Sequence, residues 1–100
     1  MAKVYVILEG AGYYGGDYDE MNSDVEWFIC VYENKELAKA HLKKWEEDIR
    51  KHQSYLNSTE YKWTYEEYEV RVDNVDEKYH GSWNYCKYEE HEMLQEVRLE

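Results

Sequence analysis

The chain opens on Lys3-Val4-Tyr5-Val6-Ile7-Leu8-Glu9, a run of β-branched and aromatic residues stopped by glycines. This pattern predicts a mostly buried strand with Val4, Val6 and Leu8 on one face. Residues 10–24 hold four of the five glycines together with Asp17, Asp19, Glu20, Asn22 and Asp24, and read as a polar loop. Val25 to Tyr32 predicts a second strand, with Val25, Trp27, Ile29 and Val31 on one face and Phe28, Cys30 and Tyr32 on the other. A helix follows. Asn34 is a suitable N-cap and Glu36 falls in the first turn, where the helix dipole favours a carboxylate. Ala38, Leu42, Trp45, Ile49, His52 and Leu56 recur at spacings of 4, 3, 4, 3 and 4, one continuous apolar stripe. Asn57-Ser58-Thr59 ends it.

Tyr65 to Val72 alternates Tyr68, Val70 and Val72 against Glu67, Glu69 and Arg71, the signature of a half-exposed strand. Residues 73–83 suit a connecting loop. Residues 85–99 fit either a strand or a helix; the strand is preferred because His91, Met93, Val97 and Leu99 nearly keep period two and no clean helical stripe appears. Tyr65-Glu66-Glu67-Tyr68-Glu69-Val70 echoes Tyr88-Glu89-Glu90-His91-Glu92-Met93, consistent with two similar strands in one hairpin. The expectation is a single α+β domain over residues 1–100. It comprises an antiparallel sheet of about four strands in the order β-β-α-β-β, with one long helix packed on one face.

Composition sharpens this picture. The 100 residues carry 12 basic and 23 acidic side chains, a net charge of −11, with 12 Tyr, 4 Trp and no Pro. So many aromatics exclude a disordered acidic tail. No apolar run approaches the roughly 20 residues of a membrane span, and the N-terminus does not read as a signal peptide. Two cysteines are too few for a disulfide scaffold, so the expected compartment is the cytoplasm. Charge is unevenly placed: residues 1–33 carry −6, residues 34–59 carry +2, and residues 60–100 carry −7.

Candidate chemistry is sparse. Gly10-Ala11-Gly12-Tyr13-Tyr14-Gly15 matches G-x-G-x-x-G after a strand, but no helix opens inside it to meet a pyrophosphate and acids follow it. An EF-hand opening at Asp17 would need Gly sixth and an acid twelfth, where Asn22 and Phe28 stand. His41, His52, His80, His91, Cys30 and Cys86 show no metal-ligand spacing. Neither cysteine has the electropositive setting of a nucleophile. Acid pairs such as Glu66/Glu67 and Glu89/Glu90 nominate no dyad, since neighbours on a strand point to opposite faces. No catalytic residue, metal or cofactor is therefore expected. Direct nucleic-acid binding is disfavoured because the basic residues are few and interleaved with acids.

A surface rich in carboxylates, Tyr and Trp suits either of two roles: keeping a small domain dispersed, or a protein-binding face. The residues expected to carry it are Tyr13, Tyr14, Asp17, Tyr18, Asp19 and Glu20 in the loop, and Glu67, Glu69, Glu89, Glu90 and Glu92 in the C-terminal hairpin. The partner would be a basic protein surface, such as that of a nuclease. The alternatives are a sponge for a small nucleotide-derived signal and a small metal-dependent hydrolase.

Lys3-Val4-Tyr5-Val6-Ile7, then Phe28-Ile29-Cys30-Val31-Tyr32 running into Asn34-Lys35-Glu36-Leu37-Ala38-Lys39-Ala40, then Tyr68-Glu69-Val70, resembles small phage and bacterial proteins. These have a strand pair, a helix opening with a Lys-Glu-x-Ala-type segment and a further strand. That family carries no assigned catalytic residues. In size, acidity and lack of enzyme motifs the chain is also similar in character to phage-encoded antagonists of bacterial immunity, anti-CRISPR proteins included. The resemblance implies a non-catalytic inhibitor acting on a nucleic-acid-handling defence protein, such as a CRISPR nuclease, in the host cytoplasm.

Overall fold

The computed structural model describes residues 2–13, 23–75 and 81–93. Its elements are β1 (Lys3–Tyr13), β2 (Ser23–Tyr32), α1 (Lys35–His52), a 3-10 turn (Ser54–Asn57), β3 (Tyr61–Glu66), β4 (Glu69–Asn74) and β5 (Ser82–Glu92). The strands form one antiparallel sheet in the order β2-β1-β5-β4-β3, so the last strand lies at its centre. The α+β class, the antiparallel sheet and the single helix agree with the sequence. The sheet, however, has five strands where about four were expected, and the strand order differs.

The extra strand comes from the segment expected as one strand over 65–72. The chain folds back at Glu67-Tyr68, pairing Tyr65 with Val70 and Trp63 with Val72. Reversal brings Trp63 edge-on to Trp45 of the helix, ring centroids 6.2 Å apart. A continuous strand would leave that apolar surface in water. Tyr65 and Glu66 therefore belong to β3 and Glu69 and Val70 to β4, so the echoed six-residue motifs are not two matching strands. β4 and β5 are nonetheless antiparallel neighbours. The last strand starts at Ser82, within the expected loop, and runs to Glu92; Val97 and Leu99 lie outside the described residues.

The helix starts as its capping residue predicts. Asn34 Oδ1 accepts hydrogen bonds from the backbone N–H of Glu36 (2.7 Å) and Leu37 (3.3 Å), satisfying donors that the first turn leaves unpaired. The helix ends at His52, four residues before Leu56. The chain then tightens into the 3-10 turn, which buries Leu56 and lets its carbonyl accept from Trp63 Nε1 at 3.1 Å. Arg50 joins this corner to β3. Its guanidinium lies 4.1 Å from the Trp63 ring centre and donates to Glu46 (2.7 Å), Asn57 (2.6 Å) and the Tyr65 hydroxyl (2.9 Å). His52, expected to close the apolar stripe, is exposed beyond it.

The core lies between α1 and one face of the sheet: Ile7, Ala38, Leu42, Val70, Cys86 and Tyr88, ringed by Tyr5, Ile29, Cys30, Tyr32, Trp45 and Trp63. Val4, Val6 and Leu8 do share a face, but it is the one turned away from the helix. Ile7, 0% exposed, is the one side chain of β1 that is buried. In β2 a bulge opposite Ile7/Leu8 breaks the expected alternation. Cys30 pairs with Ile7, yet Phe28 pairs with Leu8 and Trp27 with Glu9. Trp27 thus joins Cys30 and Tyr32 on the helix side, while Phe28 joins Val31 on the other.

This assignment of faces predicts unequal costs. Ile7→Ala should lower unfolding free energy by about 2–5 kcal/mol, whereas Val31→Ala, at a position 47% exposed, should cost under about 1 kcal/mol. Chemical denaturation of the two variants checks this; equal losses would place both residues in one core.

Candidate functional site

No described element covers the face of the sheet opposite α1. Strand parity places there Val4, Val6, Leu8, Gly10 and Gly12 of β1, and Asp24, Glu26, Phe28 and Val31 of β2. β5 adds Trp83, Tyr85, Lys87, Glu89 and His91. The outer hairpin adds Glu69, Arg71 and Asp73 of β4, with Lys62, Thr64 and Glu66 of β3. Phe28 is 59% exposed and Val31 47%. With Val4, Val6 and Leu8 beside them they form an apolar strip on this face.

Next to the strip is a built polar array centred on Tyr85. Gly10 stands directly opposite Tyr85 across the β1–β5 pair, and a Cβ at Gly10 would collide with the Tyr85 ring. The bare glycine lets that ring lie across β1, so that its hydroxyl donates to Glu26 of β2 at 2.5 Å. Burial, then the bond to Glu26, holds the Tyr85 phenol well above its ordinary pKa.

Two ion triads flank Tyr85. Lys87 Nζ lies 3.4 Å from Glu26 and 3.3 Å from Glu89. Arg71 lies 3.1 Å from Asp73 and 4.0 Å from Glu69 and sits over the Trp83 ring, 5.5 Å from its centre. Each triad sets one cation against two carboxylates and keeps one net negative charge. Burial works against the Lys87 ammonium, but its bonds to Glu89 and Glu26 raise its pKa regardless. Glu89 is held below the usual carboxylate range by a hydrogen bond from His91 and by Lys87, against opposing burial. Exposed pairs of this kind contribute only about 0–1 kcal/mol each to stability.

The residues expected from sequence do not assemble as one carboxylate array. Glu69 and Glu89 lie on the uncovered face. Glu67 sits in the β3–β4 turn, 3.9 Å from Lys35. Glu90 and Glu92 have the opposite parity, on the helix side, with Glu90 bound to Lys3 at 2.7 Å. Tyr13, 55% exposed, ends β1. Tyr14, Asp17, Tyr18, Asp19 and Glu20 lie outside the described residues. Sequence reasoning missed Glu26, Asp73, Arg71, Lys87, Tyr85, Trp83 and Phe28. The signal was there in the alternation Trp83, Tyr85, Lys87, Glu89, His91, and in Glu69, Arg71, Asp73.

A second feature lies on the helix side. Between α1 and strands β1, β2 and β5 is a cleft of about 760 Å³ lined by Glu9, Trp27, Tyr32, His41 and Trp45, among others. Glu9 is the cross-strand partner of both Trp27 and Cys86. Ligand atoms of Glu9, His41 and Cys86 all lie within 4.8 Å of one another. Burial raises the Glu9 pKa, opposed by His41, and pushes the Cys86 thiol up to about 12. Cys30 and Cys86 lie on strands either side of β1, roughly 9–10 Å apart by strand spacing. A disulfide bridges Cα atoms up to only about 7 Å apart, and both cysteines are free. No helix among the described residues is long and apolar enough to cross a membrane.

The Gly10–Tyr85 contact sets a double-mutant cycle. Gly10→Ala should destabilise the chain by over about 1 kcal/mol because the ring must move. In a Tyr85→Ala background the same change should become neutral or stabilising, since alanine outperforms glycine in a strand by about 0.5–1 kcal/mol. Equal penalties in both backgrounds, measured by urea unfolding, would show that Tyr85 does not lie over Gly10.

Comparison of the chain with protein-family models, with curated proteins and with solved structures gives no match.

Proposed function

We propose that the chain is a non-catalytic protein-binding module that docks through its uncovered sheet face on a basic surface of another protein. One observation carries this reading: exposed Phe28 and Val31 lie beside two triads in which a single cation serves two carboxylates. The apolar strip supplies area whose removal from water favours association. The triads supply acceptors that a partner's guanidinium or ammonium groups would complete, and charge-assisted bonds of that kind set register and orientation. Residues 34–59 carry +2 within a chain of −11, so the helical segment supplies none of the net negative charge. A nucleic-acid-handling protein is the partner class whose surface best fits these charges. The resemblance in size and acidity to phage-encoded inhibitors of bacterial immunity supports a defence nuclease as that partner.

The reading is tested by affinity capture from a bacterial lysate with three forms of the protein: wild type, Phe28→Asp with Glu69→Lys, and the helix-face control Lys43→Glu. Wild type and the control should retain the same basic protein. The double variant should lose it, and capture should weaken as salt rises above about 0.15 M, where screening shortens to about 8 Å. A capture profile identical for all three forms would refute docking through this face.

A further inference from the structure

We infer that Glu9, His41 and Cys86 form a binding site for one thiophilic divalent cation of the zinc class, tying α1 to the centre of the sheet. This inference is independent of the docking face, because all three residues lie on the opposite side of the sheet. The three side chains come from β1, α1 and β5, and their ligand atoms lie within 4.8 Å of one another. The centre of a triangle of that size is about 2.8 Å from each corner, against zinc bond lengths of roughly 2.0–2.3 Å. Closing the side chains inward by about 0.5–0.8 Å therefore makes the bonds.

Two further observations favour a cation here. Glu9 is a half-buried carboxylate that makes no hydrogen bond or ion pair among the described residues, and a buried charge without compensation is costly. The Tyr32 hydroxyl bonds His41 Nδ1 at 2.9 Å; a cation held through Nε2 would keep this bond as the outer partner that orients a metal-bound imidazole. The donor set of thiolate, imidazole and carboxylate suits zinc and not magnesium or calcium, which take oxygen ligands. As the sulfur–metal bond forms, the Cys86 thiol proton passes to solvent. Three protein ligands leave a fourth position for a water or another ligand atom, and Glu9 and His41 also line the cleft.

Reduced, chelator-treated protein titrated with Zn²⁺ against a chromophoric competitor should bind one equivalent. Co²⁺ used as the probe should give thiolate-to-cobalt charge-transfer absorption that Cys86→Ser abolishes. His41→Ala and Cys86→Ser should each weaken Zn²⁺ binding about 100-fold or more, and Tyr32→Phe about 10-fold. His91→Ala, on the far face, should leave it unchanged. At a hundredfold excess over Kd, Zn²⁺ should raise the wild-type unfolding midpoint by roughly 10 °C. Circular dichroism of the metal-free variants confirms that they fold. Absence of the charge-transfer bands from folded wild type would overturn the site. Stoichiometric binding that survives loss of both Cys86 and His41 would overturn it too, marking an adventitious ion on surface carboxylates.

Discussion

Among the described residues, five strands and one helix leave one face of the sheet without a covering element. An 18-residue helix is about 27 Å long and 10–12 Å across with its side chains, enough to cover the middle of one sheet face and nothing of the other. The core follows from that geometry. Ile7, Val70, Cys86 and Tyr88 are buried because they stand beneath Ala38 and Leu42. Residues one step along the same strands, such as Leu8 and Lys87, face the opposite way. With so little helix, the chain relies on aromatic area at the margins, where Trp45, Trp63 and the Arg50 guanidinium seal the corner between α1 and β3.

The uncovered face is organised as well as exposed. Gly10 gives up a side chain so that Tyr85 can cross β1, and the ring carries a hydrogen bond from the central strand to the edge strand. Lys87 and Arg71 then hold carboxylates on either side in fixed positions. Isolated surface ion pairs add little to folding; under the docking function proposed above, this arrangement would offer a partner preset acceptors of net negative charge beside apolar surface. A face ordered before association loses less conformational freedom on binding than one that must assemble.

The helix was the most legible element, because the Asn34 cap, Glu36 in the first turn and the apolar stripe all act locally. β1 and β2 were legible as strands but not in their faces. A bulge in β2 is set by pairing with β1, and nothing in Ile29 itself announces it. The reversal at Glu67-Tyr68 was hidden because neither residue is a glycine, proline, asparagine or aspartate, so the alternation of Tyr65 to Val72 read as unbroken. The candidate site suffered from counting acids without parity: Glu89 and Glu90 are adjacent and point to opposite faces, and the bases that pair with them were left out. Glu9, His41 and Cys86 are far apart in the chain and meet only through strand order and helix crossing, which no local spacing encodes.

The central claim is that the sheet face opposite α1 is open to solvent, and methyl NMR with a soluble paramagnetic agent reports on it directly. The Val4 and Val31 methyl signals should be strongly broadened by the agent, while those of Ile7, Leu42 and Val72 stay sharp. Protection of Val31 equal to that of Ile7 would show that this face is covered in solution and would contradict the account.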